Sequence, residues 1–423
     1  MSSSAAAGRE TAAIPRLCVM MFLQFFVWGA WYVSMTGWMG DARLDGLTPW
    51  AYSVGPLAAI VSPFFLGMVA DRFFPSQKVL GLLHLLGGAF LLAVPNVIEA
   101  APQAADKPTG FFHPFVLLLL GHMLCYMPTL GLTNTVSFHH IASPEQQFPL
   151  IRVFGTIGWI AGNIAVTLLP DGDRSPFQFG LAGGAAVLLG LYSFSLPHTP
   201  PPLAGQRVRA REILGADALA LFKDRNYLVF ILCSFLICIP LAGYYNQARN
   251  FVGYAGFSNP TLNMSFGQMS EIFFMLAMPL FFARLGVKRM LALGMLAWVL
   301  RYGLFSAAAD DRIRWMILVG ILLHGICYDF FFVTGFIYVD RTAPHAIRGQ
   351  AQGFLVLITQ GLGLGLGAQV FGKLVAAHTS TTEGAEVHDW QQIWLLPGLA
   401  AGVILAAFLL LFRDDGRSAR QAV

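Results

Sequence analysis

Long hydrophobic runs separated by short polar stretches make up most of this chain. A helix that crosses a membrane needs about 20 consecutive, mostly apolar residues. Runs of that length lie near 14–40, 50–70, 78–97, 112–141, 149–169, 176–196, 226–253, 262–283, 288–308, 313–339, 346–376 and 390–412. The pattern predicts twelve transmembrane helices, here called spans one to twelve, and hence an all-α integral membrane protein.

The longest polar stretch lies between spans six and seven. It begins with His198-Thr-Pro-Pro-Pro and carries five basic residues, Arg207, Arg209, Arg211, Lys223 and Arg225. This predicts a linker over 198–225 that joins a six-helix half at 1–197 to a second six-helix half at 226–423. The first hydrophobic run is too long for the core of a cleavable signal peptide, so we expect it to remain as span one.

Composition and charge agree with the hydrophobic pattern. Of the 423 residues 56% are hydrophobic and 11% are charged, whereas soluble proteins are about 25% charged. If both termini are cytoplasmic, most of the Lys and Arg residues outside the spans lie on the cytoplasmic side, as the positive-inside rule requires. The net charge of +4 therefore indicates no nucleic-acid partner. The five cysteines lie in apolar runs without metal-ligand or disulfide spacing.

Three ionisable residues interrupt the apolar spans: Arg152, Glu271 and Asp329. A charge at membrane depth costs roughly 2.5–3.5 kcal/mol on insertion scales, so it usually lines a water-filled path or has a partner. These residues therefore indicate a transport pathway. Two structural alternatives stay open. Arg152 could extend to the cytoplasmic surface, and either acid could form a static ion pair with Arg152 or Arg301.

Polar residues in spans five and eight repeat at helical spacing. Arg152, Thr156 and Trp159 follow one another at steps of four and three, which places them on one helix face. Gln268 and Glu271 in span eight are likewise separated by three residues. The alternative is a packing stripe satisfied by neighbouring helices, which fits Arg152 poorly because arginine remains charged in proteins.

Span ten combines an acid with aromatic neighbours. Tyr328 and Asp329 are followed directly by three phenylalanines. A carboxylate among aromatic side chains loses hydration, which favours its neutral form. A carboxyl group that gains and loses a proton is what a proton-coupled carrier needs, so we predict that Asp329, together with Glu271, takes part in coupling.

Spans one and seven supply further candidate contacts. Gln24 and Trp28 share a face of span one, and tryptophan rings can stack on a planar substrate. The alternative for Trp28 is an anchor at the membrane interface. Span seven contains a polar run, Tyr244 to Gln247, in which Asn246 is the candidate ligand; this density suggests a helix that lines a cavity.

Twelve spans in two halves, joined by a basic linker, describe the major facilitator architecture, in which the substrate site lies near mid-membrane between the halves. The segment after span two supports this fold. Gly67-Met-Val-Ala-Asp71-Arg72, followed by Lys78, resembles the inner-loop motif of that superfamily, a charge clasp between helix ends. We therefore expect Gly67, Asp71 and Arg72 to serve in gating.

Seven segments together resemble the bacterial nucleoside:proton symporter family of the major facilitator superfamily. They are Leu23–Trp31, Tyr126–Thr135, Phe148–Gly158, Gln268–Glu271, Tyr328–Phe331, Ile347–Gly353 and Asp389–Trp394. The resemblance implies import of nucleosides with protons through a twelve-helix bundle in the bacterial inner membrane. It implies no cofactor other than the proton as coupling ion, the lipid bilayer as surroundings, and a monomer without an obligatory protein partner.

The resemblance also implies residue roles. Arg152 and Thr156 match substrate contacts, Trp159 an aromatic position, Gln268 and Glu271 the polar pair of span eight, and Asp329 the acid of span ten. The chain departs from the family in span seven, where Ala242 and Tyr245 replace amide side chains. Asn246 and Gln247 could supply those amides one residue further on, so this departure bears on the substrate and not on the fold.

Alternatives remain at the level of function. A carrier of the same fold could take a sugar or a nucleobase, or work as an uncoupled facilitator. A membrane enzyme or sensor would need a nucleophile with its base, metal ligands or a signalling domain, and the sequence shows none of these. It also lacks an ATP-binding motif.

Overall fold

The computed structural model describes residues 2–65, 73–100, 108–142, 144–201, 216–344, 347–382 and 385–413. The chain divides into two compact units, Met1–Arg209 and Ala210–Val423. The predicted gating residues Gly67, Asp71 and Arg72 lie outside the described residues, as does the central part of the predicted linker.

The first unit is built from helices. They are α1 (Ser2–Gly29), α2 (Met35–Asp41), α3 (Thr48–Phe65), α4 (Ser76–Ala100), α5 (Pro114–His139), α6 (Pro144–Thr167) and α7 (Phe177–Ser193), with short 3₁₀ turns at Asp45–Leu47 and Gly172–Arg174. Span one, predicted over 14–40, is interrupted between α1 and α2. The Ser34 hydroxyl in this break donates a hydrogen bond of 2.6 Å to Gln178 Oε1 of α7, so a side chain holds the interruption in place.

The second unit is also mainly helical. Its helices are α8 (Arg225–Tyr254), α9 (Pro260–Ala308), α10 (Arg314–Leu322), α11 (His324–Tyr328), α12 (Thr334–Thr342), α13 (Arg348–Val356), α14 (Leu364–Ala377) and α15 (Trp390–Leu411), after a 3₁₀ segment at Ala216–Lys223. Two π-helical turns, Asp329–Val333 and Leu357–Gly363, lie between α11 and α12 and between α13 and α14. Strands β1 (Thr379–Thr382) and β2 (Ala385–His388) pair antiparallel, with Thr379 opposite His388.

Predicted spans eight and nine follow one another in α9. This helix is 49 residues long and is broken at Gly286, where φ is 66° and ψ is −179°. Glycine adopts this conformation without the steric penalty that a Cβ would bring. Two membrane-spanning arms are therefore joined at one residue, where the sequence predicted a short loop.

Eight described helical segments are long and apolar enough to cross a membrane. The α9 segment supplies two spans, Ala13–Gly29 and Phe177–Ser193 are shorter apolar helices, and α3 fills the place of span two. Large side chains such as Leu276 (76% exposed) and Leu410 (81% exposed) point away from the protein. In a lipid environment these surfaces face hydrocarbon, so the all-α, twelve-span prediction is confirmed.

Glycines allow α1 and α6 to pack closely. A Cβ on Gly158 would overlap the Phe22 carbonyl oxygen, and a Cβ on Gly162 would lie 2.8 Å from both Ala30 N and Phe26 O. Small residues at such crossings let helix backbones approach in membranes. This contact brings the helix that carries Trp28 against the helix that carries Trp159.

The glycine-rich stretch of span eleven serves a similar purpose in the second unit. A Cβ on Gly363 would lie 2.7 Å from Cys238 Cβ, and one on Gly367 would lie 2.7 Å from Ala242 Cβ. The structure therefore packs Gly363 and Gly367 of this stretch against α8.

Candidate functional site

An aromatic cluster forms the first candidate surface, within the first unit. The ring of Trp28 in α1 lies 5.3 Å from Trp159 in α6 and 5.5 Å from Tyr126 in α5. Tyr32 lies 6.1 Å from Trp159. The indole N–H groups of Trp28 and Trp159 are buried and have no hydrogen-bond partner among the residues that the structure describes. The cluster therefore offers ring faces and two uncommitted donors.

Gln24 connects the helices that carry this cluster. Its side chain is fully buried; Nε2 donates to Thr129 Oγ1 at 2.7 Å, and Oε1 accepts from His84 Nε2 at 2.7 Å. The Tyr126 hydroxyl donates to the Gln24 backbone oxygen at 2.6 Å. Gln24 thus joins α1, α4 and α5, and both ends of its amide are already occupied. Its predicted substrate contact remains a prediction, and this geometry favours an indirect role.

Arg152 lies on α6 one turn before Thr156. Its guanidinium carbon is 4.2 Å from the centroid of the Phe25 ring, a distance typical of a cation–π contact. The guanidinium passes over Gly155, where a Cβ would be 2.6 Å from its NH1 atom. Thr156 is buried at 8% exposure. The shared face predicted for Arg152, Thr156 and Trp159 therefore turns toward α1.

A chain of polar contacts crosses the second unit. Arg301 Nε donates to Gly320 O at 3.1 Å, and its NH2 group lies 3.2 Å from His324 Nδ1. His324 Nε2 is 4.0 Å from Glu271 Oε2. The proposed direct ion pair between Arg301 and an acid does not occur in the described part of the chain, because His324 stands between Arg301 and Glu271.

Asp329 begins the first π-helical turn. It is fully buried, and neither carboxyl oxygen has a hydrogen-bond partner within the described ranges. The next two residues pack against aromatic rings. The ring centroid of Phe330 lies 5.2 Å from that of Phe281, and the ring centroid of Phe331 lies 5.3 Å from that of Trp298. π-helical turns are rare and occur frequently at functional sites. The structure thus places a buried carboxyl group beside aromatic side chains.

The remaining predicted contacts of the second unit lie on α8, α9 and α11. Gln268 precedes Glu271 by one turn of α9 and is buried. The ring of Tyr328 lies 5.9 Å from His324. In α8, Asn246 is buried with an Oδ1 atom that has no partner in the described segments. Ala242 packs against Gly367, so this departure from the family pattern contacts α14.

Three buried histidines of the described chain are absent from the sequence-based candidates. His324 contacts both Arg301 and Glu271, His84 contacts Gln24, and His122 stacks on Tyr126. A signal for them exists, because histidine inside a span is also an ionisable group at membrane depth. The signal is weaker than that of an acid or an arginine, because histidine is often neutral.

The fold and the two polar clusters define a polytopic secondary transporter of the major facilitator class. The model of the family described as "Nucleoside H+ symporter" matches residues 12–417. The chain belongs to this family, as the sequence resemblance predicted. It is a membrane transporter for nucleosides coupled to protons and not an enzyme.

Known relatives agree with this assignment. YegT of Escherichia coli (strain K12) is 40% identical, over 95% of this chain and 94% of its own. Nucleoside permease NupG of the same organism is 30% identical, over 94% of this chain and 95% of its own. A crystal structure of nucleoside transporter NupG superposes with a TM-score of 0.81 and 29% identity, covering 95% of this chain and all of that chain.

Proposed function

We propose that this protein imports nucleosides by proton symport through alternating access, with Asp329 as the residue that carries the proton. We place it in the bacterial inner membrane with both termini cytoplasmic, working as a monomer without a cofactor or protein partner. The observation that carries the proposal is the Asp329 carboxyl group, buried without a hydrogen-bond partner in the described part of the second unit.

A buried carboxyl group without a partner is costly when charged and much less costly when protonated. Glu271 adds to this cost, because its charge repels that of Asp329. Access of water to Asp329 would therefore be linked to proton release, and burial to proton uptake. A group with this linkage couples proton movement to a change of conformation, which is what symport requires.

The substrate contacts are assigned by chemistry. Arg152 and Thr156 supply donors to base carbonyls or ribose hydroxyls, and Trp28 and Trp159 supply ring faces for the base. Gln268 and Glu271 supply an amide and a carboxylate, the groups suited to the hydroxyls and edge of a nucleoside. Tyr328 and Asn246 complete the proposed set, and Gln24 acts by holding Tyr126 and Thr129.

The gating residues are proposed on the sequence motif alone. Asp71 and Arg72 would close a charge clasp on the cytoplasmic side, with Gly67 allowing close approach of the helices. Loss of the Asp71 carboxylate would remove the attraction that closes the clasp, so an alanine at Asp71 should change the balance between inward-open and outward-open forms without removing nucleoside binding.

Uptake into proteoliposomes tests the whole proposal. Radiolabelled uridine or adenosine should accumulate against its gradient when the external solution is more acidic, and a protonophore should abolish accumulation. Unlabelled nucleosides should compete, whereas sugars and free nucleobases should not. Competition by a sugar alone would point to a different substrate, and equilibration without accumulation would indicate an uncoupled facilitator.

A further inference from the structure

Arg301 is held in one position by three groups. It is fully buried in α9, and its Nε donates to the carbonyl oxygen of Gly320. Its guanidinium carbon lies 4.1 Å from the centroid of the Tyr244 ring, on which His324 is also stacked at 5.4 Å. These contacts leave the NH2 group aimed at His324 Nδ1 at 3.2 Å.

The identity of this donor determines the form of the imidazole. A guanidinium has only donors and stays protonated in proteins, so Nδ1 of His324 must be the acceptor. A neutral imidazole that accepts at Nδ1 carries its proton on Nε2. The Nε2–H group points toward Glu271, whose Oε2 atom is 4.0 Å away, about 1 Å beyond hydrogen-bond distance.

We infer that His324 is a positioning residue: Arg301 locks it as the neutral Nε2–H tautomer, which holds the Glu271 carboxylate in the orientation that receives substrate. This inference rests on the proposed function, in which Glu271 contacts the nucleoside. The gap of 4.0 Å closes when Glu271 turns toward His324, because hydrogen bonds at such sites often tighten only when ligand is bound.

The same geometry excludes His324 as the coupling proton carrier while the lock is intact. Nε2 already carries a proton, and protonation of Nδ1 would set two donors, imidazolium and guanidinium, against each other. Besides these partners, the ionisable groups that the described structure places near this cluster are Tyr244 and Tyr245 from α8, Tyr302 from α9, Asp329 from the π-helical turn, and Tyr328 and Cys327 from the helix of His324. The proton that is coupled to transport is therefore carried by a carboxyl group, Asp329 or Glu271.

Two amide substitutions separate the two polar contacts of His324, the donor at Nε2 and the acceptor at Nδ1. The Nε2 atoms of glutamine and histidine are the same number of bonds from Cβ, so His324→Gln keeps a donor toward Glu271. Asparagine places its Oδ1 where histidine places Nδ1, so His324→Asn keeps only the acceptor toward Arg301. His324→Phe keeps the stacked ring and loses both polar contacts.

Nucleoside binding to the purified protein is the first measurement. His324→Phe and His324→Asn should each weaken uridine binding about tenfold, the effect of losing one hydrogen bond to a charged group. His324→Gln should recover most of that loss. His378→Gln, at the β-hairpin end of α14, is the control for a histidine outside the cluster. Equal binding by Gln, Asn and Phe variants would overturn the inference.

The pH profile tests the lock itself. In Arg301→Met, His324 is free to take a proton on Nδ1, and the imidazolium then pairs with Glu271 and withdraws it from substrate. Nucleoside affinity should therefore fall in an additional step as pH is lowered, because the imidazole can take a second proton once Arg301 is gone. The parent and the double variant Arg301→Met/His324→Gln should lack this step. If the double variant also loses affinity in this pH step, another group causes the step, and the inference that Arg301 keeps His324 neutral is refuted.

These outcomes are distinct from failure of the proposed function. A parent protein that binds no nucleoside would refute the proposed function, whereas this inference is tested by differences among variants of a parent that binds. If Arg301→Met does not fold, the Gln, Asn and Phe series at position 324 decides the question without it.

Discussion

At the scale of single residues, the absence of a side chain at Gly155 determines where Arg152 lies. The guanidinium crosses the helix backbone at this glycine and reaches the Phe25 ring. A charged group at membrane depth gains from a cation–π contact because lipid offers no hydration. Position 155 thus sets the direction of the donors that Arg152 presents.

Gly155→Ala should displace Arg152 while leaving the helix intact. The added Cβ would lie 2.6 Å from Arg152 NH1 and 2.7 Å from Phe25 Cδ2, so the guanidinium must move. We expect nucleoside affinity to fall about threefold to tenfold, measured by calorimetry in detergent. Gly184→Ala, where a Cβ meets nothing within 4 Å, is the matched control. Unchanged affinity in Gly155→Ala would show that the observed position of Arg152 does not matter for binding.

Arg152→Lys tests the guanidinium itself. Lysine keeps the charge but loses the fixed fork of donors, so nucleoside binding should fall about tenfold or more while thermal stability changes little. Gln268→Ala should cost less, about 0.5–1.5 kcal/mol, the value of one neutral hydrogen bond. If Arg152→Lys binds every nucleoside as the parent does, Arg152 is not a substrate contact.

Asp329→Asn tests proton coupling. The amide imitates a permanently protonated carboxyl group, so accumulation driven by a proton gradient should be lost while nucleoside exchange across the membrane is partly retained. Glu271→Gln should show the same split if it shares the proton, and mainly a binding loss if it only holds substrate. Accumulation at the parental level by both variants would exclude both acids as coupling sites.

At the scale of elements, the crossing of α1 and α6 holds the aromatic cluster together. The crossing depends on Gly158, because any Cβ there meets the Phe22 backbone, which cannot move aside as a flexible side chain could. The sequence shows glycines in both segments, but small residues are common in membrane helices. Which of them face a neighbour depends on helix rotation.

Gly158→Val should separate α1 from α6 and move Trp28 away from Trp159. We expect a lower melting temperature and loss of nucleoside binding, measured by thermal shift in detergent with and without uridine. Gly180→Ala in α7, where a Cβ has open space, should be neutral or slightly stabilising. A Gly158→Val protein with parental stability would mean that the two helices do not pack as observed.

The π-helical turns lay beyond sequence-based prediction. The turns at Asp329–Val333 and Leu357–Gly363 lie within spans ten and eleven, whereas the break at Gly286 falls where the sequence already separated spans eight and nine. Hydrophobic periodicity averages over a turn or more and does not register a single extra residue. The cost of a charge in the membrane indicates Asp329 as a functional residue, but it does not indicate the π-helical backbone around it.

At the scale of the whole molecule, the distribution of Lys and Arg predicts both termini in the cytoplasm. The β-hairpin between α14 and α15 is then external, and the end of α7 is cytoplasmic. Ser380→Cys, exposed in β1, should react with a membrane-impermeant maleimide in intact cells. Ser195→Cys, exposed after α7, should react only after permeabilisation. The parent is the background control, since its cysteines lie within membrane segments. The opposite pattern would reverse the orientation.

Sequence alone determined the class of protein, the twelve spans and the acids and arginine worth testing. It could do so because a helix that crosses a membrane must be long and mostly apolar, and because a charged residue within it is costly and therefore rare. The tertiary structure alone decided which polar groups are already engaged. Gln24 meets partners 60 and 105 residues away, and His324 stands between Arg301 and Glu271. Such pairings follow from helix rotation and packing, which local hydrophobicity does not specify.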